Sequence, residues 1–441
     1  MILKNEADRL VDCLESARDI ADEIVVCDTG STDGTISVAE GLGARVFSIP
    51  WEEDFAAARN ESIRRAQGDW LLHLDADETL DPEGARRIRE LVDADGLGAD
   101  AVELVLANYC NDPRAWRWTP ANPANRFARG YAGYIRVGLL RLFRNGRGFE
   151  YREPVHENIT ESVLERGGRI RREEILIHHY GYDLEAARRG AKAQRYLAMA
   201  RRKAIERPND VKALHDYAEQ ALACGMADEA ETCCRRALAI APEDVAAATT
   251  LANILLNRGE LEEAREILAR LAQKDPSFPH VSTALAAIAL REGRLQAAQQ
   301  HLDAALDHEP RHVMARLYRA RACDLMGNTD TAHTILEDLH TAFPQLREIR
   351  NRLEALRRRR DAEAQFIAGR IEAALAALVA ALGLDPEDPL IHNDLGVVLQ
   401  SLGQYKKALE SLDRALALVR HLPDAAANRA ALLRLMAGNA C

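Results

Sequence analysis

The pattern of hydrophobic and polar residues changes close to residue 182. Before it, short apolar runs of strand character alternate with stretches whose apolar residues recur every three or four positions. After it, Ala-rich amphipathic stretches follow one another. Alternating strands and helices are typical of a mostly parallel sheet covered by helices, whereas repeated amphipathic stretches predict packed helices. The sequence therefore predicts an α/β domain at residues 1–182, a linking helix at residues 183–207 and an all-α domain at residues 208–437.

Six apolar runs in the first domain predict strands, at residues 23–27, 44–49, 70–74, 101–106, 139–143 and 175–179. Helical periodicity predicts helices at residues 35–41, 55–67 and 82–92. Residues 108–134 fit neither pattern and are rich in aromatic side chains. We expect this segment to act as a lid over a bound ligand or to pack on the helical domain.

The second domain repeats itself. Its turn glycines share one spacing of 34 residues: Gly225, Gly259, Gly293 and Gly327. Columns of Ala and Pro keep the same step, and after an eight-residue slip between residues 344 and 369 the pattern resumes at Gly369 and Gly403. Gly permits a tight turn between two helices, small Ala side chains let the helices approach closely, and Pro starts the next helix. We therefore expect about six stacked helix pairs.

This unit resembles the tetratricopeptide repeat, and residues 392–396 followed by residues 403–408 are typical of it. One helix pair cannot bury its apolar face alone, so such units stack into a superhelix. The concave side of such a superhelix commonly holds an extended peptide or another subunit. The resemblance therefore implies a peptide or protein partner, or a homodimer formed through the repeats.

Composition and charge exclude several classes of protein. The 441 residues include 58 basic and 69 acidic side chains, a formal net charge of −11, which argues against a nucleic-acid partner. The eight cysteines form no CxxC pair and are too sparse for a disulfide scaffold. The sequence shows no signal peptide and no apolar stretch near the ~20 residues that span a bilayer. We therefore expect a cytoplasmic protein without a transmembrane segment.

Two carboxylates follow the apolar run at residues 70–74. In an extended chain, residues two apart point the same way, so Asp75 and Asp77 are expected to share one target. Asp81 before Pro82 already provides an N-cap for the next helix, so capping leaves the pair unexplained. Carboxylates at the carboxyl end of a sheet strand suit a hard divalent cation, which can hold a nucleotide diphosphate through its oxygens.

A second polar segment, residues 28–35, also follows a strand and opens a helix. Gly30 and Gly34 allow close approach to the backbone. Asp28 can accept hydrogen bonds from a base or a ribose, whereas so much negative charge does not suit a site for phosphate alone. The alternative is a polar turn without a ligand. We expect both polar segments at the sheet edge where open α/β folds bind ligands.

Three further segments complete the set: Lys4-Asn5-Glu6, Ala58-Arg59-Asn60-Glu61 and Pro154-Val155-His156-Glu157. Together the segments resemble family 2 glycosyltransferases of the GT-A fold, in their cytoplasmic branch. The fusion to tetratricopeptide repeats is similar to that of S-linked peptide glycosyltransferases related to the sublancin enzyme. The resemblance implies an inverting, metal-dependent hexosyltransferase whose donor is a nucleotide sugar, with uridine diphosphate as the expected carrier. Its acceptor is a peptide, a protein or a glycan.

By this resemblance, the donor site is formed by a set of polar side chains: Asp28, Asp33, Arg59, Asn60 and Asp75. Asp28 contacts the nucleotide base, Arg59 frames the nucleotide pocket, and Asp75 meets the ribose or the metal. Asp77 ligates a divalent cation, Mg²⁺ or Mn²⁺.

A late histidine often completes the metal shell in this family, and His179 is at the matching point in preference to His178. The alternative for both histidines is an edge-strand pair satisfied by backbone groups. Glu157 is the implied catalytic base, and its alternative is a surface salt bridge beside His156.

Two other functions fit part of the pattern. One is a non-catalytic tetratricopeptide adaptor or dimer scaffold with a degenerate nucleotide-binding domain. Only Met1-Ile2-Leu3 precede Lys4, where the family usually has a full first strand, so we expect a shortened strand or an upstream start. The other function is a lipopolysaccharide-core-type sugar transferase, which shares the motifs of the sheet domain.

Overall fold

The computed structural model of the chain describes residues 1–115, 118–122, 124–154, 157–180, 189–274 and 279–438. The chain divides into two compact units, Met1–Gly190 and Ala191–Cys441. Within the described ranges, every strand lies in the first unit and the second contains helices alone. The prediction of an α/β unit followed by an all-α unit is confirmed.

The first unit begins with a small parallel sheet. Its strands are β1 (Ile2–Leu3), β2 (Val25–Asp28) and β3 (Arg45–Ser48), in the order β1-β2-β3. Helices α1 (Ala7–Ala17) and α2 (Thr35–Gly41) connect them. All four residues of β2 are buried, which explains why this strand reads as a continuous apolar run before Asp28.

A second, six-stranded sheet forms most of the unit. Its strands are β4 (Trp70–Leu72), β5 (Glu78–Leu80), β6 (Ala101–Cys110), β7 (Trp118–Pro120), β8 (Gly133–Arg144) and β9 (Ile170–His179). The order is β4-β8-β6-β9-β5, with β7 paired to β8. The pair β6–β9 is parallel, and the other pairs in this sheet are antiparallel. The prediction of a mostly parallel sheet is therefore wrong for the larger sheet.

The error has a physical cause in residues 108–134. A parallel connection usually needs a crossover helix, but these residues contain the end of β6, the short strand β7 and the start of β8. Strands β6 and β8 pair directly from Ala101↔Phe143 to Cys110↔Gly133. Both strands are therefore longer than the apolar runs at residues 101–106 and 139–143 suggested.

Described aromatic side chains of this segment, such as Trp118 and Phe127, pack against other residues of the first unit. Trp118 is buried, and its indole Nε1–H donates to the backbone oxygen of Cys110 at 3.1 Å. The ring of Phe127 stacks on His178 with 4.9 Å between centroids. Trp116 lies outside the described residues, and movement of the segment as a lid stays a prediction.

Three further helices cover the sheets: α3 (Phe55–Arg65), α4 (Pro82–Asp93) and α5 (Thr160–Glu165). Asp54 and Asp81 cap α3 and α4, accepting the backbone N–H of the third helical residue at 2.9 and 2.7 Å. The predicted N-cap at Asp81 is confirmed.

The second unit begins within α6 (Arg189–Glu206), which covers the described part of the predicted linking helix. Residues 183–188 lie outside the described ranges. Six helix pairs and a last helix follow: α7 (Val211–Ala223), α8 (Ala227–Ile240), α9 (Val245–Arg258), α10 (Leu261–Lys274), α11 (Pro279–Glu292), α12 (Leu295–His308), α13 (Val313–Leu325), α14 (Thr329–Ala342), α15 (Arg347–Ile367), α16 (Ile371–Leu384), α17 (Pro389–Ser401), α18 (Tyr405–Leu418) and α19 (Pro423–Gly438). The six turn glycines of the repeat column have φ between 72° and 82°, a conformation that favours glycine.

The eight-residue slip lies inside one helix. Helix α15 has 21 residues, whereas α13, the equivalent helix of the preceding pair, has 13. At 3.6 residues per turn, the eight additional residues add about two turns. No helix in the described ranges is long and apolar enough to cross a lipid bilayer.

Candidate functional site

The loop after β2 is folded by its own side chains. The buried Asp28 carboxylate accepts hydrogen bonds from the backbone N–H groups of Gly30 and Ser31, both at 3.0 Å. Asp33 is exposed and accepts from the backbone N–H of Thr35 at 2.9 Å. Hydrogen bonds from the hydroxyl and backbone of Thr35 lower the pKa of Asp33. Asp28 therefore shapes the loop from inside, while Asp33 lies on its open face.

This loop is joined to the segment that follows β1. Asn5 Oδ1 accepts from the backbone N–H of Thr32 at 2.7 Å, and the Asn5 N–H donates to Ser31 Oγ at 2.9 Å. The backbone N–H of Glu6 donates to Thr35 Oγ1 at 2.8 Å. The two predicted motifs, residues 4–6 and 28–35, thus form one polar surface at the start of α1.

Asp75 and Asp77 lie between β4 and β5. Strand β4 ends at Leu72, and Ala76 and Asp77 lie in a turn. Side chains two residues apart share a direction in a strand but not across a turn. Asp75 contacts arginines and Asp77 contacts His179, so the two carboxylates have different protein partners, and a shared ligand stays a prediction.

Two buried arginines hold Asp75. Arg59 on α3 places Nη1 2.9 Å from Oδ1 and Nη2 3.2 Å from Oδ2, and Arg141 on β8 places Nη2 3.1 Å from Oδ2. Burial alone favours the neutral acid, but the two guanidinium groups hold the pKa of Asp75 well below its usual range. The Asp75 side chain remains 30% exposed, so an ionised and fixed carboxylate still faces solvent.

Arg59 also binds Glu157, the predicted base. Its Nε lies 2.5 Å from Glu157 Oε1, and the Glu157 side chain is 15% exposed. One buried guanidinium therefore fixes the positions of Asp75 and Glu157 relative to each other, although 82 residues separate them in the chain.

Three members of this cluster were missed in the sequence analysis. Glu78 accepts from Arg141 Nη2 at 2.5 Å and from the backbone N–H of Asp75 at 2.9 Å. The His73 ring contacts Arg59, and burial together with the charge of Arg59 lowers the pKa of His73 well below its usual value, so the ring is neutral. Arg141 itself was the signal in the sequence that could have revealed this cluster. It is a charged residue inside an apolar strand, and a buried charge requires an acidic partner.

Asp77 and His179 form a second cluster. His179 Nε2 lies 3.2 Å from Asp77 Oδ2, and His179 Nδ1 lies 2.6 Å from Asn108 Oδ1. Burial disfavours a charge on either group, but their mutual contact raises the pKa of His179 and lowers the pKa of Asp77. Arg9 Nη1 lies 3.6 Å from the same Asp77 oxygen. The structure thus brings the two predicted metal ligands together and adds Asn108 and Arg9.

His178 faces the interior. It is fully buried, with Nδ1 2.9 Å from the Tyr109 hydroxyl and Nε2 3.1 Å from Asp81 Oδ2. Both ring nitrogens therefore have protein partners away from Asp77. This arrangement favours His179 as the histidine available to a ligand.

Asn60 links α3 to the segment that carries Glu157. Its Nδ2 donates to the backbone oxygen of Tyr151 at 2.8 Å, and its Oδ1 accepts the Tyr151 N–H at 2.7 Å. Both ends of the amide are engaged by this backbone. A direct donor contact of Asn60 stays a prediction, and the contacts observed here position the chain before Glu157.

The cluster of Asp77 and His179 could hold a cation whose other ligands are not protein side chains. Among the described residues, no three His, Cys, Asp or Glu side chains are arranged to hold a metal ion. Asp77 and His179 offer one carboxylate oxygen and one imidazole nitrogen, and the Asn108 contact at Nδ1 is the type of outer hydrogen bond that orients a metal-bound histidine. A cation with one or two protein ligands completes its shell with phosphate oxygens and water.

A cavity of about 870 Å³ in the same unit is lined by the start of β2, strand β4 and helices α1, α3 and α4, and it reaches His73 of the Asp75 cluster. Of the predicted site residues, none lines this cavity. The candidate site is instead the open surface formed by the Asp28 loop and the two clusters.

Comparison with known proteins assigns both parts of the chain. Residues 1–177 match the family model described as glycosyl transferase family 2. Residues 221–288 and 289–356 match a tetratricopeptide repeat model, and two further repeat models match residues 362–403 and 392–426.

The curated relatives include both a repeat-containing protein and glycosyltransferases. A TPR repeat-containing protein of Synechococcus elongatus is 35% identical over 44% of this chain and 44% of its own length. An uncharacterized glycosyltransferase of Rickettsia bellii is 34% identical over 29% of this chain and 43% of its own. The prophage-derived glycosyltransferase SunS of Bacillus subtilis is 26% identical over 36% of this chain and 33% of its own. The chain thus spans less than half the length of these relatives. It joins a family 2 glycosyltransferase domain to a run of tetratricopeptide repeats.

Proposed function

We propose that the first unit transfers a hexose from a nucleotide sugar to an acceptor with inversion at the anomeric carbon, with uridine diphosphate as the carrier. The observation that carries the proposal is the Asp77–His179 pair, which lies beside a fixed carboxylate cluster in a family 2 glycosyltransferase domain. The Asp28 loop supplies the surface for the nucleoside, with Asp33 exposed to accept hydrogen bonds from it.

Asp77 and His179 would hold a divalent cation, Mg²⁺ or Mn²⁺. Such a cation stabilises the negative charge that collects on the diphosphate as the sugar departs. Asn108 keeps the His179 ring oriented, with Nε2 facing Asp77. Asp75, ionised and fixed by Arg59 and Arg141, would meet the ribose of the donor.

Glu157 accepts the proton of the incoming nucleophile. The acceptor atom forms a bond to the anomeric carbon while the bond from that carbon to the diphosphate oxygen breaks, and the proton moves to the Glu157 carboxylate. General base catalysis of this kind contributes about 10²- to 10⁴-fold. Arg59 holds Glu157 in place through the 2.5 Å contact, so the base is positioned before the acceptor arrives.

The repeats recruit the acceptor, which we propose is a peptide or a protein. Stacked helix pairs present a continuous concave surface suited to an extended chain. We place the reaction in the cytoplasm, a proposal supported by the cysteines of the sequence, which form no CxxC pair and are too sparse for a disulfide scaffold.

A panel of nucleotide sugars tests the proposal. The chain is incubated with each sugar nucleotide and Mn²⁺, and release of the nucleoside diphosphate is measured with and without a chelator. We expect release from one sugar nucleotide that depends on the metal and falls at least about 100-fold in Asp77→Asn. The matched control is Asp22→Asn, an exposed carboxylate paired with Arg89. Equal rates in wild type and Asp77→Asn would overturn the proposal.

A further inference from the structure

We propose that Arg9 is a positioning residue with two alternating partners, Asp77 in the free protein and the donor diphosphate once a cation is bound. This inference rests on the proposed function. It assigns a role to a side chain outside every motif of the sequence analysis.

The contact between Arg9 and Asp77 competes with a cation. Arg9 Nη1 lies 3.6 Å from Asp77 Oδ2, and His179 Nε2 lies 3.2 Å from the same oxygen. The guanidinium therefore neutralises the carboxylate oxygen that a metal ion would use. A divalent cation there would repel the guanidinium at this distance, so cation binding and the Arg9–Asp77 contact exclude each other.

The backbone that carries Arg9 is anchored to the donor loop. Arg9 is the third residue of α1, and the segment just before it is hydrogen-bonded to residues 31–35 through Asn5 and Glu6. Further along α1, Cys13 Sγ donates to the backbone oxygen of Asp75 at 3.2 Å. Helix α1 thus extends from the Asp28 loop to the two clusters, and Arg9 lies in its first turn.

The freed side chain suits a diphosphate. The Arg9 side chain is 30% exposed and can turn without leaving a buried charge. Guanidinium presents a planar fork of N–H donors that matches phosphate oxygens in a bidentate manner. When Asp77 binds the cation, the nearest incoming anion is the diphosphate that the same cation holds. Arg9 then contacts the leaving group.

This exchange predicts two effects of opposite sign for Arg9→Gln. Without a donor, Mn²⁺ binding should tighten by about threefold to fivefold, the size of one partly exposed charge contact. With Mn²⁺ present, binding of uridine diphosphate should weaken by about tenfold, the size of a charge-assisted hydrogen bond. A residue that only stabilised α1 would not tighten metal binding.

Electron paramagnetic resonance of Mn²⁺ and calorimetry with uridine diphosphate measure the two effects on the full chain. Arg86→Gln, an exposed arginine on α4 paired with Glu83 and Glu90, is the matched control and should keep both wild-type values. The proposal is overturned if Arg9→Gln leaves either constant unchanged or weakens Mn²⁺ binding. If wild type takes up no Mn²⁺, the proposed function fails as well, and this result is distinct from a failure confined to Arg9.

Discussion

At the scale of single residues, Asp75 and Asp77 differ in their surroundings although one residue separates them. Asp75 is bound by two guanidinium groups that are at most 8% exposed, whereas Asp77 faces an imidazole that is 22% exposed. Asp75 therefore balances the positive charge of two buried arginines, whereas Asp77 can exchange its partners. A substitution at each position therefore tests a different property.

Asp75→Asn should destabilise the first unit. The amide carries no charge to balance Arg59 and Arg141, which keep one carboxylate partner each, Glu157 and Glu78, so the loss should be about 1–3 kcal/mol. Asp77→Asn should cost less than about 1 kcal/mol, since its partners are partly exposed. Urea denaturation of both variants checks this difference. Equal unfolding free energies would contradict the account of the Asp75 cluster.

Glu157→Gln should slow transfer by about 100-fold or more while binding of uridine diphosphate stays within about twofold of wild type. The glutamine still accepts from Arg59 Nε, so the geometry is kept while the proton acceptor is lost. Transfer rate and nucleotide affinity are measured on the same preparation. A variant that transfers at the wild-type rate would remove Glu157 from the mechanism.

Short-range patterns were enough to find some site residues and not others. Asp77 follows one apolar strand and His179 ends another, and the family resemblance marked both as metal ligands before the structure placed them 3.2 Å apart. Arg141 and Glu78 were missed because their role is visible only from their contact with each other, and 63 residues separate them in the sequence. Asp75 was predicted as a site residue, but its arginine partners follow from the packing of α3 and β8.

At the scale of elements, the antiparallel pairing of β6 and β8 and the length of α15 escaped the periodicity analysis. The second part of β6 and the first part of β8 include polar residues such as Asn108 and Arg136, so the apolar runs covered only about half of each strand. The slip of eight residues was visible, but the sequence did not show that it lengthens one helix. The turn glycines, in contrast, were predicted from the sequence because their backbone conformation demands glycine.

Two equivalent turns of the repeats offer a matched test. Gly293 and Gly327 have φ of 75° and 82°, but a Cβ at Gly293 would lie 2.4 Å from the backbone oxygen of His421, whereas Gly327 has open space. Ala at position 327 should cost about 1–2 kcal/mol for the left-handed backbone alone. Ala at position 293 should cost about 1–3 kcal/mol more, because the turn must move away from the turn before α19.

Denaturant unfolding of the second unit measures both glycine variants. Arg420 N–H donates to Arg291 oxygen at 2.9 Å, so the same displacement should also break a backbone hydrogen bond. Identical unfolding free energies for Gly293→Ala and Gly327→Ala would show that the Gly293 turn is not in tight contact with the turn before α19.

At the scale of the whole molecule, the division into two units separates the proposed chemistry from the proposed recruitment. Every predicted site residue lies in the first unit, and the repeats lie in the second. This division was predictable because the change from alternating strands and helices to repeated helices extends over hundreds of residues. The acceptor has no comparable signal, since it depends on surface side chains that no periodicity constrains.

Damage to the repeats should therefore affect transfer without affecting donor chemistry. We expect Gly293→Ala to lower the rate of acceptor glycosylation, while metal-dependent hydrolysis of the nucleotide sugar stays within about twofold of wild type. Free sugar and glycosylated acceptor are quantified in the same reaction, below the unfolding temperature of the variant. An equal loss of free sugar and of glycosylated acceptor would show that donor chemistry also depends on the repeats, and it would contradict this prediction.

The central claim is that Asp77 and His179 hold the cation that presents the donor. Calorimetric titration of uridine diphosphate into wild type, Asp77→Asn and His179→Gln, each with and without Mn²⁺, tests it most directly. The account predicts that Mn²⁺ tightens binding at least about tenfold in wild type and leaves both variants at the metal-free affinity. Mn²⁺-dependent binding of equal strength in all three proteins would contradict it.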